Sequence, residues 1–87
     1  MSSKLSDLPN IGKELERLLS GIGINTYDQL KETGPVEICR ILKLSGEMCY
    51  SKLYALEGAI RGIRWHNLTI EEREKLKKEF LTAVHNV

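Results

Sequence analysis

Cysteine and proline occur only twice each in these 87 residues, tryptophan and phenylalanine once, and charge of neither sign prevails. Each scarcity excludes something. Two cysteines, Cys39 and Cys49, are too few for a disulfide framework, and both fall in stretches of apolar periodicity, where reduced, buried thiols are expected. With His66 and His85 they form no Cys-x-x-Cys or His-x-x-x-His spacing, so no set of zinc ligands is expected to converge. No apolar run approaches the roughly 18 residues of a membrane span, and the N-terminus lacks the basic-then-apolar order of a signal peptide. The expected location is therefore the cytoplasm, with no membrane partner. Thirteen Lys and Arg against twelve Asp and Glu leave a formal charge of +1, too little for a global field that draws the molecule onto a polyanion. Any nucleic-acid binding must come from a local patch.

Catalytic signatures are also missing. No phosphate loop, nucleophile elbow or paired-carboxylate motif occurs. A chain this short buries roughly 60–65% of its unfolded surface and has little to spare for a deep pocket. Glu57, between apolar neighbours, is a formal general-acid candidate, but an ion pair with Arg61 one turn later is the simpler account. A non-enzymatic chain without cofactor or metal is the expectation.

What is present is helical periodicity, with no sustained period-two alternation, so the expected fold is all-α: a single domain over residues 1–87 built as a compact bundle of five to six short helices. A first short helix fits Lys4 to Asp7, with Ser3 as N-cap. Leu8-Pro9-Asn10-Ile11-Gly12 is turn chemistry. The next helix covers about Lys13 to Ser20 with an apolar stripe of Ile11, Leu15, Leu18 and Ile22, and stops at Gly21 and Gly23. Thr26 and Gln29 form a capping box for a helix from Tyr27 to about Glu32, and Pro35 suits the first turn of a helix burying Val36, Cys39 and Leu42. Ser45-Gly46 closes it. The longest element is expected from about Glu47 to Arg61, with Cys49, Leu53, Leu56, Ile60 and Ile63 as its apolar row and Met48, Ala55 and Ala59 as a second. Gly58 inside it costs about 1 kcal/mol relative to Ala, which implies a backbone passing close by. Gly62 is a candidate helix end. Thr69 and Glu72 form another capping box, and a last helix runs to about His85, burying Leu76, Phe80, Ala83 and Val84.

The segment Pro9, Asn10, Ile11, Gly12 and Lys13 is the candidate nucleic-acid contact. A tight bend before an amphipathic helix leaves free amide hydrogens at the positive end of the helix dipole, which favours a phosphate, and Lys13 adds a charge. The same turn also serves simply as an inter-helix connection. Arg61, Arg64, Trp65 and His66 can form a basic-aromatic patch, although a lone Trp at a helix end is more often a core anchor. Lys75, Lys77 and Lys78, interleaved with Glu72, Glu74 and Glu79, read as a mixed-charge solvent face.

Followed by Leu15, Leu18, Gly23-Ile24 and the Thr26 to Leu30 element, the hairpin resembles a helix-hairpin-helix. Over about residues 5 to 80 the order and spacing of Leu8 to Gly12, Gly23-Ile24, Thr26, Leu30, Cys49, Leu53 to Gly62 and Trp65 are similar to the C-terminal domain of TfoX/Sxy-type regulators of DNA-uptake competence. The resemblance implies a helix-hairpin-helix or SAM-like bundle, a role in competence or transcription regulation, weak backbone contact with DNA, and no catalysis. Asn10 stands where DNA-binding hairpins carry their first Gly; it tolerates a positive φ, but its side chain can crowd an approaching phosphate. The alternative to DNA is a regulatory protein or a second copy, docked on an exposed part of the small-residue row Ala55, Gly58 and Gly62 or on Trp65.

Overall fold

The computed structural model describes residues 5–85, and among them every regular element is helical. A 3₁₀ turn at Leu5–Asp7 precedes α1 (Lys13–Gly21), α2 (Tyr27–Thr33), α3 (Pro35–Leu44) and α4 (Tyr50–Arg61); a second 3₁₀ turn at Trp65–Asn67 leads into α5 (Ile70–His85). The all-α bundle is thus as expected. Ser3 and Lys4, read as the start of the first helix, lie outside the described residues.

The helix boundaries follow from capping chemistry. Thr26 Oγ1 accepts the Gln29 amide while the Gln29 side chain accepts the Thr26 amide, and Thr69 and Glu72 do the same before α5. Pro35 opens α3 at a position whose missing N–H has no role. Helices α1, α3 and α4 end alike: Ile24, Glu47 and Ile63 donate their amides back to the carbonyls of Leu19, Leu42 and Gly58 five residues earlier, each beside a glycine of positive φ.

Several expectations are corrected at and around those reversals. The Glu47 amide closes α3, and α4 begins not there but at Tyr50, with Cys49 as an extended N-cap. Cys49 is accordingly exposed, not buried, and α4, at 12 residues, is shorter than α5, at 16. In α1 the buried position is Leu19, with Leu18 only half-buried, because the reversal folds Ile24 back onto the turn that carries Leu19. Ile38, absent from the expected α3 row, is fully buried beside Cys39 and Leu42.

A single cluster of buried side chains draws on the first 3₁₀ turn and all five α-helices: Leu5, Ile11, Leu15 and Leu19, then Ile24, Leu30, Ile38, Cys39 and Leu42, then Leu53, Ala55, Leu56, Ala59, Leu68, Leu76 and Phe80. Helix α4 lies at its centre, packed against α2, α3 and α5, while α3 also packs along α5. The Tyr27 hydroxyl donates to the Ile60 carbonyl at 2.7 Å, fixing the start of α2 on the end of α4.

The hairpin is held onto α4 by one side chain. Leu8 to Ile11 is a turn with Pro9 second and Asn10 third; the Ile11 amide donates to the Leu8 carbonyl, and Asn10 takes the φ of 70° that a type II turn requires there. From that position Asn10 Nδ2 donates to the Ile63 carbonyl at 2.9 Å and more weakly to the Ala55 carbonyl at 3.4 Å, and its Oδ1 accepts the Trp65 amide at 3.1 Å. Gly58 makes this approach possible: a Cβ there would sit 2.5 Å from Asn10 Nδ2 and 2.8 Å from the Ile63 carbonyl oxygen. The close backbone approach expected at Gly58 is therefore present.

Gly58→Ala should destabilise the protein by about 1–3 kcal/mol despite the better helix propensity of Ala, because the atoms it meets include fixed backbone. Asn10→Gly should cost about 1–3 kcal/mol through the lost hydrogen bonds. Asn10→Ala should cost about 1 kcal/mol more, since Ala resists the positive φ. Urea unfolding midpoints measure all three; equal values for Gly and Ala at position 10 would contradict the account of the turn.

Candidate nucleic-acid interface

The latch turns the Asn10 side chain inward, away from the surface where it was expected to meet a phosphate. The hairpin residues then divide. Ile11 is 4% exposed and belongs to the core, so only its backbone is available for contact. Pro9 is half-buried, and Gly12 and Lys13 are exposed. Gly12 is the N-cap of α1, at φ −89° and ψ −178°, with no side-chain cap and open space where a Cβ would be. Neither its conformation nor its packing demands glycine.

Beside this turn lies a groove of about 540 Å³, open to solvent, which brings together segments far apart in sequence. One wall is Asn10, Gly12, Glu14 and Leu15; the others are Ser51 and Lys52 at the start of α4 and Arg64, Trp65 and His66 after its end. The first turns of two helices therefore border one depression, and the N-caps of both, Gly12 and Cys49, lack a side-chain hydrogen bond. Lys52 and Arg64 supply positive charge and Glu14 opposes it. Glu16, a further carboxylate of the same helix turn, accepts the Ser6 amide at 2.9 Å.

Trp65 is half-buried and serves as anchor and wall at once. Its ring stacks near Tyr54 at 6.5 Å and against His66 at 4.2 Å, and the Arg73 guanidinium lies 5.1 Å from its centroid. Arg73 also donates to the His66 carbonyl, which fixes the 3₁₀ turn on α5. Arg61, grouped with this patch in the sequence reading, points elsewhere. It pairs with Glu72 across the α4 to α5 junction and only distantly, at 4.0 Å, with Glu57. The Thr69 amide, and after it Arg61, hold the Glu72 carboxyl below the usual carboxylate range.

The small-residue row is occupied from within the chain. Ala55 and Gly58 are buried, with the Asn10 amide over them, so a partner helix cannot dock there; Gly62 is exposed and Trp65 remains partly accessible. Sequence reasoning missed Lys52, Ser51 and the groove itself. The pertinent signals, a positive-φ Asn and a helix-interior Gly, were legible separately, but nothing in the sequence paired residues 10 and 58.

Among the described residues no three His, Cys, Asp or Glu cluster as metal ligands. Burial pushes the Cys39 thiol up to about 12, with the neighbouring Cys49 adding to it and Lys52 opposing.

The fold defines a small all-α domain. It belongs to the TfoX C-terminal domain family, which the chain matches over residues 1–80, a regulatory and non-enzymatic family. Solved structures from Listeria monocytogenes are among those similar to it. An uncharacterized protein from Listeria monocytogenes in a triclinic crystal form is 46% identical, with a TM-score of 0.82 over 93% of each chain. A protein of unknown function from Listeria monocytogenes in a tetragonal form is 47% identical, with a TM-score of 0.78 over 88% of this chain and 96% of that one. No curated protein matches the chain. No described helix is long and apolar enough to cross a membrane.

The two thiols should separate cleanly. An aromatic disulfide reagent at mildly alkaline pH should titrate Cys49 quickly in the native protein and Cys39 only after denaturant is added. Two fast equivalents from the native state would contradict the burial of Cys39.

Proposed function

We propose that this chain is a regulatory binding module that holds a nucleic-acid backbone weakly and without reading sequence, in transcription or competence regulation as its family resemblance implies. The observation that carries the reading is the groove: the uncapped first turns of α1 and α4 share it with Lys52 and Arg64. Amide hydrogens without partners and aligned peptide dipoles favour an anion at such turns, and the flanking cations strengthen the contact. The open space over Gly12 lets a phosphate approach the backbone closely. The inward course of the Asn10 side chain removes the obstruction that its type suggested.

With few phosphates neutralised, binding is weak. Dissociation constants should be on the order of 10⁻⁴–10⁻⁶ M, with a slope of about −2 in log K against log salt. Duplex titrations at two salt concentrations measure both. Gly12→Asp separates binding from folding, because Asp is a good N-cap: stability should stay equal or rise by a few tenths of a kcal/mol, while the added carboxylate repels phosphate and abolishes binding. No binding at low salt, or binding that Gly12→Asp leaves unchanged, overturns the reading.

A further inference from the structure

Helix α5 carries apolar residues that its own fold does not use. Ile70 is 72% exposed and Leu81 is 38% exposed. They belong to one row, since Ile70, Glu74, Lys77 and Leu81 follow one another at steps of four, three and four, about a quarter to a third of a turn round the helix from the inward-facing Leu76 and Phe80. The Lys77 ammonium rests 5.1 Å from the Tyr50 ring centroid, which settles that long side chain on the flank of the helix carrying the row. None of the four residues lines the groove at the hairpin.

The order of the row is its own complement. Ile70 and Leu81 are equidistant from the point between residues 75 and 76, and so are Glu74 and Lys77. A twofold axis through that point lays a second α5 antiparallel on the first, bringing unlike residues together at all four positions. A parallel arrangement would set Glu74 against Glu74 and Lys77 against Lys77. The neighbouring column repeats the polarity, with Glu71 toward the N-terminal end and Lys78 beyond the midpoint, so each acidic end meets the partner's basic stretch.

We propose that a second copy of this chain docks on this face, forming an antiparallel α5 dimer in which Ile70 packs on the partner's Leu81 and Glu74 pairs with the partner's Lys77. The row spans twelve residues, eleven steps that cover about 16 Å of helix at 1.5 Å per residue. One helix pair of that length falls at the small end of protein interfaces, below about 1,200 Å² in all, so the dimer is reversible and forms at high concentration.

The geometry dictates the test. Sedimentation equilibrium of the full chain from about 10 μM to about 1 mM should show the weight-average mass climbing toward that of two chains. Glu74→Lys and Lys77→Glu each place like charges against each other twice per dimer, and each should raise the concentration needed for association by about tenfold or more. An equimolar mixture of the two variants should associate again, as a heterodimer, because every Lys then faces a Glu. Since mixing cannot repair a folding defect, this arm distinguishes interface from stability. A wild-type mass that stays at one chain throughout, association that neither variant weakens, or a mixture that associates no better than its components overturns the proposal.

Discussion

The carboxamide of Asn10 joins the hairpin to the helix beneath it, and much of the molecule's arrangement rests on that junction. One side chain satisfies the Ile63 carbonyl and the Trp65 amide, two groups left over where α4 ends and the chain turns toward α5. Buried backbone groups without partners are costly, and here the partner comes from more than fifty residues away. The missing Cβ of Gly58 leaves room for the approach. With that contact in place the start of α1 is pinned beside α4, and the turn at Trp65 is held against both.

The electrostatic character of the surface follows from this placement. Near-neutral overall charge gives the molecule no long-range pull, so any preference for anions has to be local. The latch aligns the first turn of α1 with the first turn of α4, and the sharp reversal at Gly62 returns Arg64 and His66 to the same side. The opposite carboxylates are partly engaged elsewhere, Glu16 with the Ser6 amide and Glu72 with Thr69 and Arg61. What a count of charges reads as balance becomes an uneven surface once the partners are fixed.

Local chemistry was readable where it is decided within a few residues. Both capping boxes, the proline at the start of α3 and the glycine stops rest on side chains and backbone hydrogen bonds that span at most five positions. Periodicity was a poorer guide at the edges of elements. Cys49 fits the row of Leu53 and Leu56 by spacing, yet it stands outside the helix, as an extended N-cap two residues after the reversal that closes α3. Leu18 and Leu19 are both near the apolar stripe, and only the return of Ile24 decided which is enclosed.

The order of residues by itself determined an all-α chain, the punctuation of its helices and the need for something close to Gly58, because each depends on dihedral preference or on hydrogen bonds over short separations. Only the tertiary structure decided that this something is Asn10, that Ala55 and Gly58 are covered while Gly62 is not, and that Lys52 and Arg64 flank the hairpin. Those relations join positions some forty to fifty-five residues apart. Pattern along a chain carries no information about such distances until packing has brought the helices together.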